Sequence, residues 1–292
     1  MDLKQILLAA IVLLCHQVSS YVDDFEEFEE DRENLLQDSL QSAILRGSDI
    51  GDRKFYVRVE YKGSNEFCGG VFIHHLWILT AASCLQGENP ALLRVETADF
   101  PNRFRSGLFL RPRRWIIMGS FQAGNGLVAP QDDLALIQLI FGVFNPDDQQ
   151  YFLPLCSHRV PQDTDVGVCG MGQVNEEGIR TNADSLKEAH LKVDYFREPF
   201  IPIVNEPTYC DGELICTSVD ETDAKISYGD LGSPLYQFDP VSQQPSCLYG
   251  VASFFRYTQR RTDQLGHPES FFTNVTHFAP WIMATMEKWE GQ

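Results

Sequence analysis

Beyond Lys54 the chain is cut into short apolar runs separated by turn residues, and a single run, at the end, has helical spacing. Phe55-Tyr56-Val57-Arg58-Val59-Glu60-Tyr61 alternates side-chain character and ends in the Gly63-Ser64-Asn65 turn, which predicts a half-buried strand. Val71-Phe72-Ile73 and Trp77-Ile78-Leu79-Thr80 predict two more strands around a His74-His75 connection. Leu134 to Ile140 and Leu248 to Phe255 add others. Thr276 is placed to cap a helix carrying Phe278, Trp281, Ile282 and Met286 on one stripe. Many short strands and one terminal helix predict an all-β barrel or sandwich. With 43% hydrophobic residues in 292, the chain has material for a large core, which excludes a disordered polymer. No repeat of fixed period is present.

Ahead of this body lie two segments of different character. Lys4, the apolar run Ile6 to Leu14 and the small residues Val18-Ser19-Ser20 have the form of a secretory signal peptide, so residues 1–20 are expected to be removed after Ser20. The run is about half of the roughly 20 residues a membrane anchor needs, and no membrane span is expected. The protein is therefore read as secreted and extracellular, where disulfides persist. Residues 21–43 form an acidic segment, with nine carboxylates against the single Arg32. The net charge of −18 argues against nucleic-acid wrapping and against polybasic membrane binding. Arg103, Arg105, Arg111, Arg113 and Arg114 form one basic stretch, and Arg256, Arg260 and Arg261 another. They are read first as solvated faces, and second as contacts for an acidic segment or partner.

Three motifs occur in a fixed order. Phe67-Cys68-Gly69-Gly70 leads to Trp77-Ile78-Leu79-Thr80-Ala81-Ala82-Ser83-Cys84; Asp132-Asp133-Leu134-Ala135-Leu136-Ile137 follows; then comes Gly229-Asp230-Leu231-Gly232-Ser233-Pro234-Leu235. Together they resemble the trypsin/chymotrypsin family of serine proteases, whose pattern is a CGG strand, a TAAHC segment, a D-[IL]-A-L strand and GDSGGP. Phe272-Thr273-Asn274-Val275 and the Trp281 helix resemble the family's C-terminus. The resemblance covers residues 44–292. It implies two packed six-stranded antiparallel β-barrels with a C-terminal helix and a cleft between the barrels.

The family's chemistry needs a serine nucleophile, a histidine that takes its proton and an aspartate that orients the histidine. Here the histidine position is Ser83, the serine position is Leu231, and Asp133 alone is kept. Losing either the nucleophile or the base costs about 10⁶ in rate, or about 8 kcal/mol. The resemblance thus implies no enzyme. With Ser83 beside it, Asp133 is expected to be satisfied by Ser83 and water, or else the site has opened.

Other family positions differ too. Ile44-Leu45-Arg46-Gly47 corresponds to the family's new N-terminus, but Ala43 precedes it in place of Arg or Lys. Asp230, which in the family pairs with that freed amine, is expected to keep a zymogen-like partner. Lys225 aligns with the base of the specificity pocket, Ser253-Phe254-Phe255 replaces Ser-Trp-Gly, and Ser270 replaces a second glycine. Phe255 is expected to fill the pocket, the alternative being a loop shift that turns it outward. Leu231, Phe254, Phe255 and Lys225 are the residues expected to form a binding face.

The resemblance implies bridges Cys68–Cys84 and Cys210–Cys216, and Ser227 stands where one cysteine of a further family bridge is missing. Cys169 is expected to pair with Cys247, leaving Cys156 free or intermolecular. Asn274-Val275-Thr276 is an acceptor sequon for a glycan on Asn274, or alternatively the start of the helix cap. Adjacent His74 and His75 lack metal-ligand spacing and are placed at a turn; no metal and no cofactor are expected.

These residues lead first to a secreted, non-catalytic serine protease homologue with a binding or regulatory role, such as a cofactor in an extracellular protease cascade, immune or reproductive process. Its partners would be extracellular proteins, among them active proteases or their substrates. The alternatives are a serine endopeptidase with a displaced catalytic set, using Ser83 or Ser233, and a decoy for protease inhibitors.

Overall fold

The computed structural model describes Ile44 and, between residues 47 and 290, all but the stretches 51–52, 63, 65, 98–107, 125–129, 143–147, 177–178, 183–184, 196–209, 211, 219–225, 228 and 256–267. The expected signal peptide, the acidic segment, Lys225, Arg103, Arg105, Arg256, Arg260 and Arg261 lie outside the described residues. After a short β1 (Ser48–Asp49) come β2 (Tyr56–Tyr61), β3 (Phe67–His74), β4 (Trp77–Thr80), β5 (Leu93–Thr97), β6 (Phe109–Leu110), β7 (Pro112–Ile117) and β8 (Ala135–Leu139). They pair antiparallel in the order β6-β5-β2-β3-β4-β8-β7. Only Arg111 separates β6 from β7. The two act as one bent strand that pairs with β5 at its start and with β8 beyond, so six strand paths close on themselves. Tyr56, Phe72, Trp77, Ile78 and Leu136, all fully buried, fill this barrel. Each such side chain contributes roughly 1.5–3 kcal/mol.

The second barrel contains β9 (Asp165–Gly170), β12 (Lys187–Val193), β13 (Leu214–Ser218), β14 (Pro234–Phe238), β15 (Pro245–Phe255) and β16 (Pro268–Asn274), while β10 (Gln173–Glu176) and β11 (Ile179–Asn182) form a separate hairpin. β9 pairs with both β14 and β12, which closes a ring of six, and β1 is added outside it by pairing Ser48 with Glu188. Val166, Val168, Ile215, Leu235 and Phe272 build its core, joined by Ile44. The two six-stranded barrels implied by the resemblance are thus present, with β1 as an extra strand.

Segment 152–156 runs from one barrel to the other. Leu153 N–H donates to the Phe72 carbonyl in β3, and Cys156 N–H donates to the Leu248 carbonyl in β15. This course sets the disulfides. Bridges join Cys68–Cys84 and Cys210–Cys216, as the resemblance implies. The third bridge is Cys156–Cys247, with Cα atoms 5.0 Å apart. The expected Cys169–Cys247 pairing is therefore wrong, and Cys156 is not free. The crossing segment lies directly on β15, whereas Cys169 lies opposite Glu188 between β9 and β12 and is fully buried as a thiol.

The helix α1 (Val275–Trp289) begins two residues earlier than a Thr276 cap implies. Its cap is Asn274, whose Oδ1 accepts from the Thr276 N–H at 3.1 Å and the Thr276 hydroxyl at 2.7 Å. Asn274 Nδ2 donates to the Gly212 carbonyl at 2.8 Å and the residue is buried. The expected glycan acceptor is thus a cap whose amide nitrogen is already engaged. His74 ends β3 and His75 opens the following turn, with their rings in contact rather than on opposite faces.

Candidate functional site: the cleft between the barrels

The cleft is assembled from segments far apart in the chain. The disulfide Cys68–Cys84 ties the short 3₁₀ turn Ala82–Cys84 to β3. On the second barrel, turn 229–233 requires glycine twice, at φ +89° for Gly229 and +84° for Gly232. A Cβ on Gly232 would lie 2.2 Å from the Gly69 carbonyl oxygen. That close approach lets Gly69 N–H donate to the Leu231 carbonyl at 2.7 Å. Cys84 Sγ lies 3.7 Å from the same oxygen. The structure therefore brings the Ser83 turn and Leu231 together across the cleft.

Asp133 precedes β8 and is 1% exposed. Its Oδ1 accepts from Ser83 N–H at 2.7 Å, and its Oδ2 accepts from the Ser83 hydroxyl at 3.0 Å and the Ser253 hydroxyl at 2.7 Å. Burial pushes the carboxyl above its usual range, while the Ser253 and Ser83 donors pull it back in part. The site has not opened: the sequence reading found Ser83 as a partner and missed Ser253. The signal was available, because Ser253 stands in the strand that the family resemblance had already aligned.

The three positions that the resemblance aligns with a catalytic triad thus hold a hydroxyl at 83, a carboxylate at 133 and a hydrocarbon side chain at 231. Ser233 is fully buried behind the turn. None of the described histidines, His74, His75, His158, His190 and His277, forms a hydrogen bond with Ser83 or Ser233 among the described residues.

Asp230 lies behind the same turn, fully buried. It accepts from Gly172 N–H at 2.7 Å, Ser227 N–H at 2.9 Å, the Ser227 hydroxyl at 3.1 Å and Ile44 N–H at 3.2 Å. Asp230 meets no freed amine in this chain: its partner from the corresponding segment is the amide N–H of Ile44. Ile44 is completely buried, its side chain joins the second core, and its nitrogen reaches the carboxylate. Hydrocarbon burial draws the residue in, at the cost of a left-handed φ of 38°, which strains a β-branched side chain. Burial raises the Asp230 carboxyl to about 6, against the pull of the Ser227, Gly172 and Ile44 donors.

Phe255 is opposite Ser270 in the β15–β16 ladder, where the resemblance implies the specificity pocket, and packs half-buried on the second core. Ser270 is buried, and its hydroxyl accepts from Ile226 N–H at 3.2 Å. Phe254 is half-buried, its ring 5.5 Å from that of Phe271.

A polar cluster that sequence reasoning did not foresee joins β12, β14 and the segment after β1. Arg53 donates from Nε and Nη2 to the two carboxylate oxygens of Glu188, at 2.8 and 2.9 Å. The Tyr236 hydroxyl donates to Glu188 as well, and the Cys169 thiol, pushed far up by burial, adjoins the group. Arg53 comes from the segment after β1, so this ion pair fastens the N-terminal stretch of the body to the second barrel.

A family model described as Trypsin matches residues 46–282. Among curated proteins, human azurocidin is 28% identical over 243 residues, spanning 80% of this chain and 84% of that protein. Human cathepsin G is 25% identical, spanning 88% and 94%. Human serine protease 56 is 27% identical over 77% of this chain, but the match spans only 35% of that longer protein. Among solved structures, the scabies mite inactivated protease paralogue S-D1 superposes with a TM-score of 0.63 over 83% of this chain and 96% of that one, at 22% identity.

Proposed function

The chain belongs to the trypsin family, and from that premise we propose that it is a secreted serine protease homologue without catalytic activity that works as a binding or regulatory protein. The observation that carries this reading is the pair of serine hydroxyls on Asp133. The carboxylate that would orient a catalytic histidine is held from both sides by Ser83 and Ser253. Across from it, Leu231 supplies no attacking atom. A turn that can still point backbone N–H groups at an oxyanion does little without a nucleophile. Neither Ser83, donating to Asp133, nor the buried Ser233 has a base beside it among the described residues.

Three disulfides support an oxidising, extracellular setting. Residues 1–20 fit a signal peptide, and no helix among the described residues is long and apolar enough to cross a membrane. The solved neighbour called an inactivated protease paralogue belongs to the same fold. Within this reading Phe255 fills the former pocket, and Leu231 with Phe254 lends the cleft an apolar face of the kind that recognises protein surfaces. The role is that of a cofactor in an extracellular protease cascade, immune or reproductive process, with active proteases or their substrates as partners.

The test is affinity capture from the native extracellular fluid by the intact protein and by Leu231→Asp. Partners bound by the former and lost by the variant, with unchanged circular dichroism, support the reading. The same partners captured by both would remove the cleft as the binding face.

A further inference from the structure

We propose that the bent strand β6–β7 of the first barrel presents a second binding surface, for an extended acidic peptide that carries aromatic or aliphatic side chains. The surface stands on observations outside the cleft and does not depend on whether the cleft is catalytic.

Along this bent strand Phe109, Arg111 and Arg113 are exposed, while Leu110 is buried and Arg114 is half-buried with its guanidinium 4.1 Å from the Trp289 ring. The ladder with β8 is interrupted by a bulge between Pro112 and Arg114, so this bent path exposes an aromatic ring and two guanidinium groups without a regular spacing. Arg94, exposed on β5, stacks over the Phe109 ring at 5.7 Å and adds a third cation at that end. Beside Arg111, whose carbonyl accepts the Ile140 N–H at 3.1 Å, the chain exposes Ile140 at 41% and Phe141 at 78%.

Arg94, Arg111 and Arg113 form no ion pair with any acidic group among the described residues. Three guanidinium groups without an ion pair among the described residues, set among exposed apolar side chains, are complementary to the carboxylates of an extended acidic peptide whose apolar residues rest on Phe109, Ile140 and Phe141. Guanidinium forks favour carboxylates by paired hydrogen bonds. The exposed rings distinguish this surface from a plain polyanion site, which would gain nothing from them.

The probe is a labelled peptide of alternating Glu and Phe, titrated against the full-length secreted protein by fluorescence anisotropy. A peptide of alternating Glu and Ser and a heparin fragment serve as the other arms. The expected result is binding of the Glu–Phe peptide that weakens with added salt. It falls by about tenfold or more in Arg111→Glu/Arg113→Glu and falls again in Phe109→Ser. Arg94→Ala provides a milder variant to read if the double one does not fold. Absence of binding, equal binding by the variants, or equally tight binding of the Glu–Ser peptide or heparin would each overturn the proposal.

Discussion

The Ser253 hydroxyl donates a 2.7 Å hydrogen bond to Oδ2 of Asp133, linking a strand of the second barrel to the first barrel's buried carboxylate. A buried charge is tolerated when every lone pair it presents is occupied. Here Ser253 is itself buried, whereas Ser83 is only partly buried and keeps a backbone N–H on the carboxylate even without its hydroxyl. Ser253→Ala is therefore expected to destabilise the protein by about 1–3 kcal/mol, and Ser83→Ala by less. Urea unfolding checks this, with the midpoint shifting and the slope unchanged.

The pH dependence follows from Asp230. Its carboxyl is raised by burial to about 6 from an ordinary value of 3.8, so between these limits the folded chain binds more protons than the unfolded one. Stability is then greatest below the lower limit and falls as pH rises through the upper one, by up to about 3 kcal/mol. The upward-shifted Asp133 contributes in the same direction. A chain beginning at Ile44 would place an ammonium where the amide N–H now meets Asp230, and an adjacent cation lowers a carboxyl. In that form the trend across this window should weaken or reverse. Denaturant unfolding at pH 4 to 7 on both forms, with Asp230→Asn as control, reads the difference.

Peptide mapping should recover Cys156 joined to Cys247, with Cys169 alkylated only after unfolding. The bridge closes a loop of 91 residues. Replacing both partners by Ala should cost about 2–5 kcal/mol.

Asn274 should carry no glycan, because its side-chain nitrogen is spent on the Gly212 carbonyl inside the fold. Intact-mass measurement before and after glycosidase treatment checks this. Asn274→Ala removes the helix cap and should cost about 1–2 kcal/mol.

Much of the cleft is legible in the sequence because its motifs carry their own geometric demands. Gly69 and Gly232 can be nothing larger where two backbones touch, and each stands in a motif that marks the spot. The strand pattern likewise announces β2, β4 and β8 by alternation or by short buried runs. What escapes is decided by chain paths rather than by local letters. Cys247 had two candidate partners, and only the route of residues 152–156 across β15 selects Cys156. The Arg53–Glu188 pair joins residues 135 apart and has no motif. Asn274-Val275-Thr276 spells both a sequon and a cap, and only burial chooses between them. No motif marks the burial of Ile44 in the second core or the contact of its amide N–H with Asp230, residues 186 apart.

Covalent labelling by a fluorophosphonate is the most direct measurement on the cleft, run on the purified protein alongside Ser83→His/Leu231→Ser, which returns a base and a nucleophile to the positions flanking Asp133. The native protein should remain unlabelled under conditions that label an active trypsin. Stoichiometric labelling of the native protein at one serine, lost when that serine is changed to alanine, would contradict the assignment of a non-catalytic cleft.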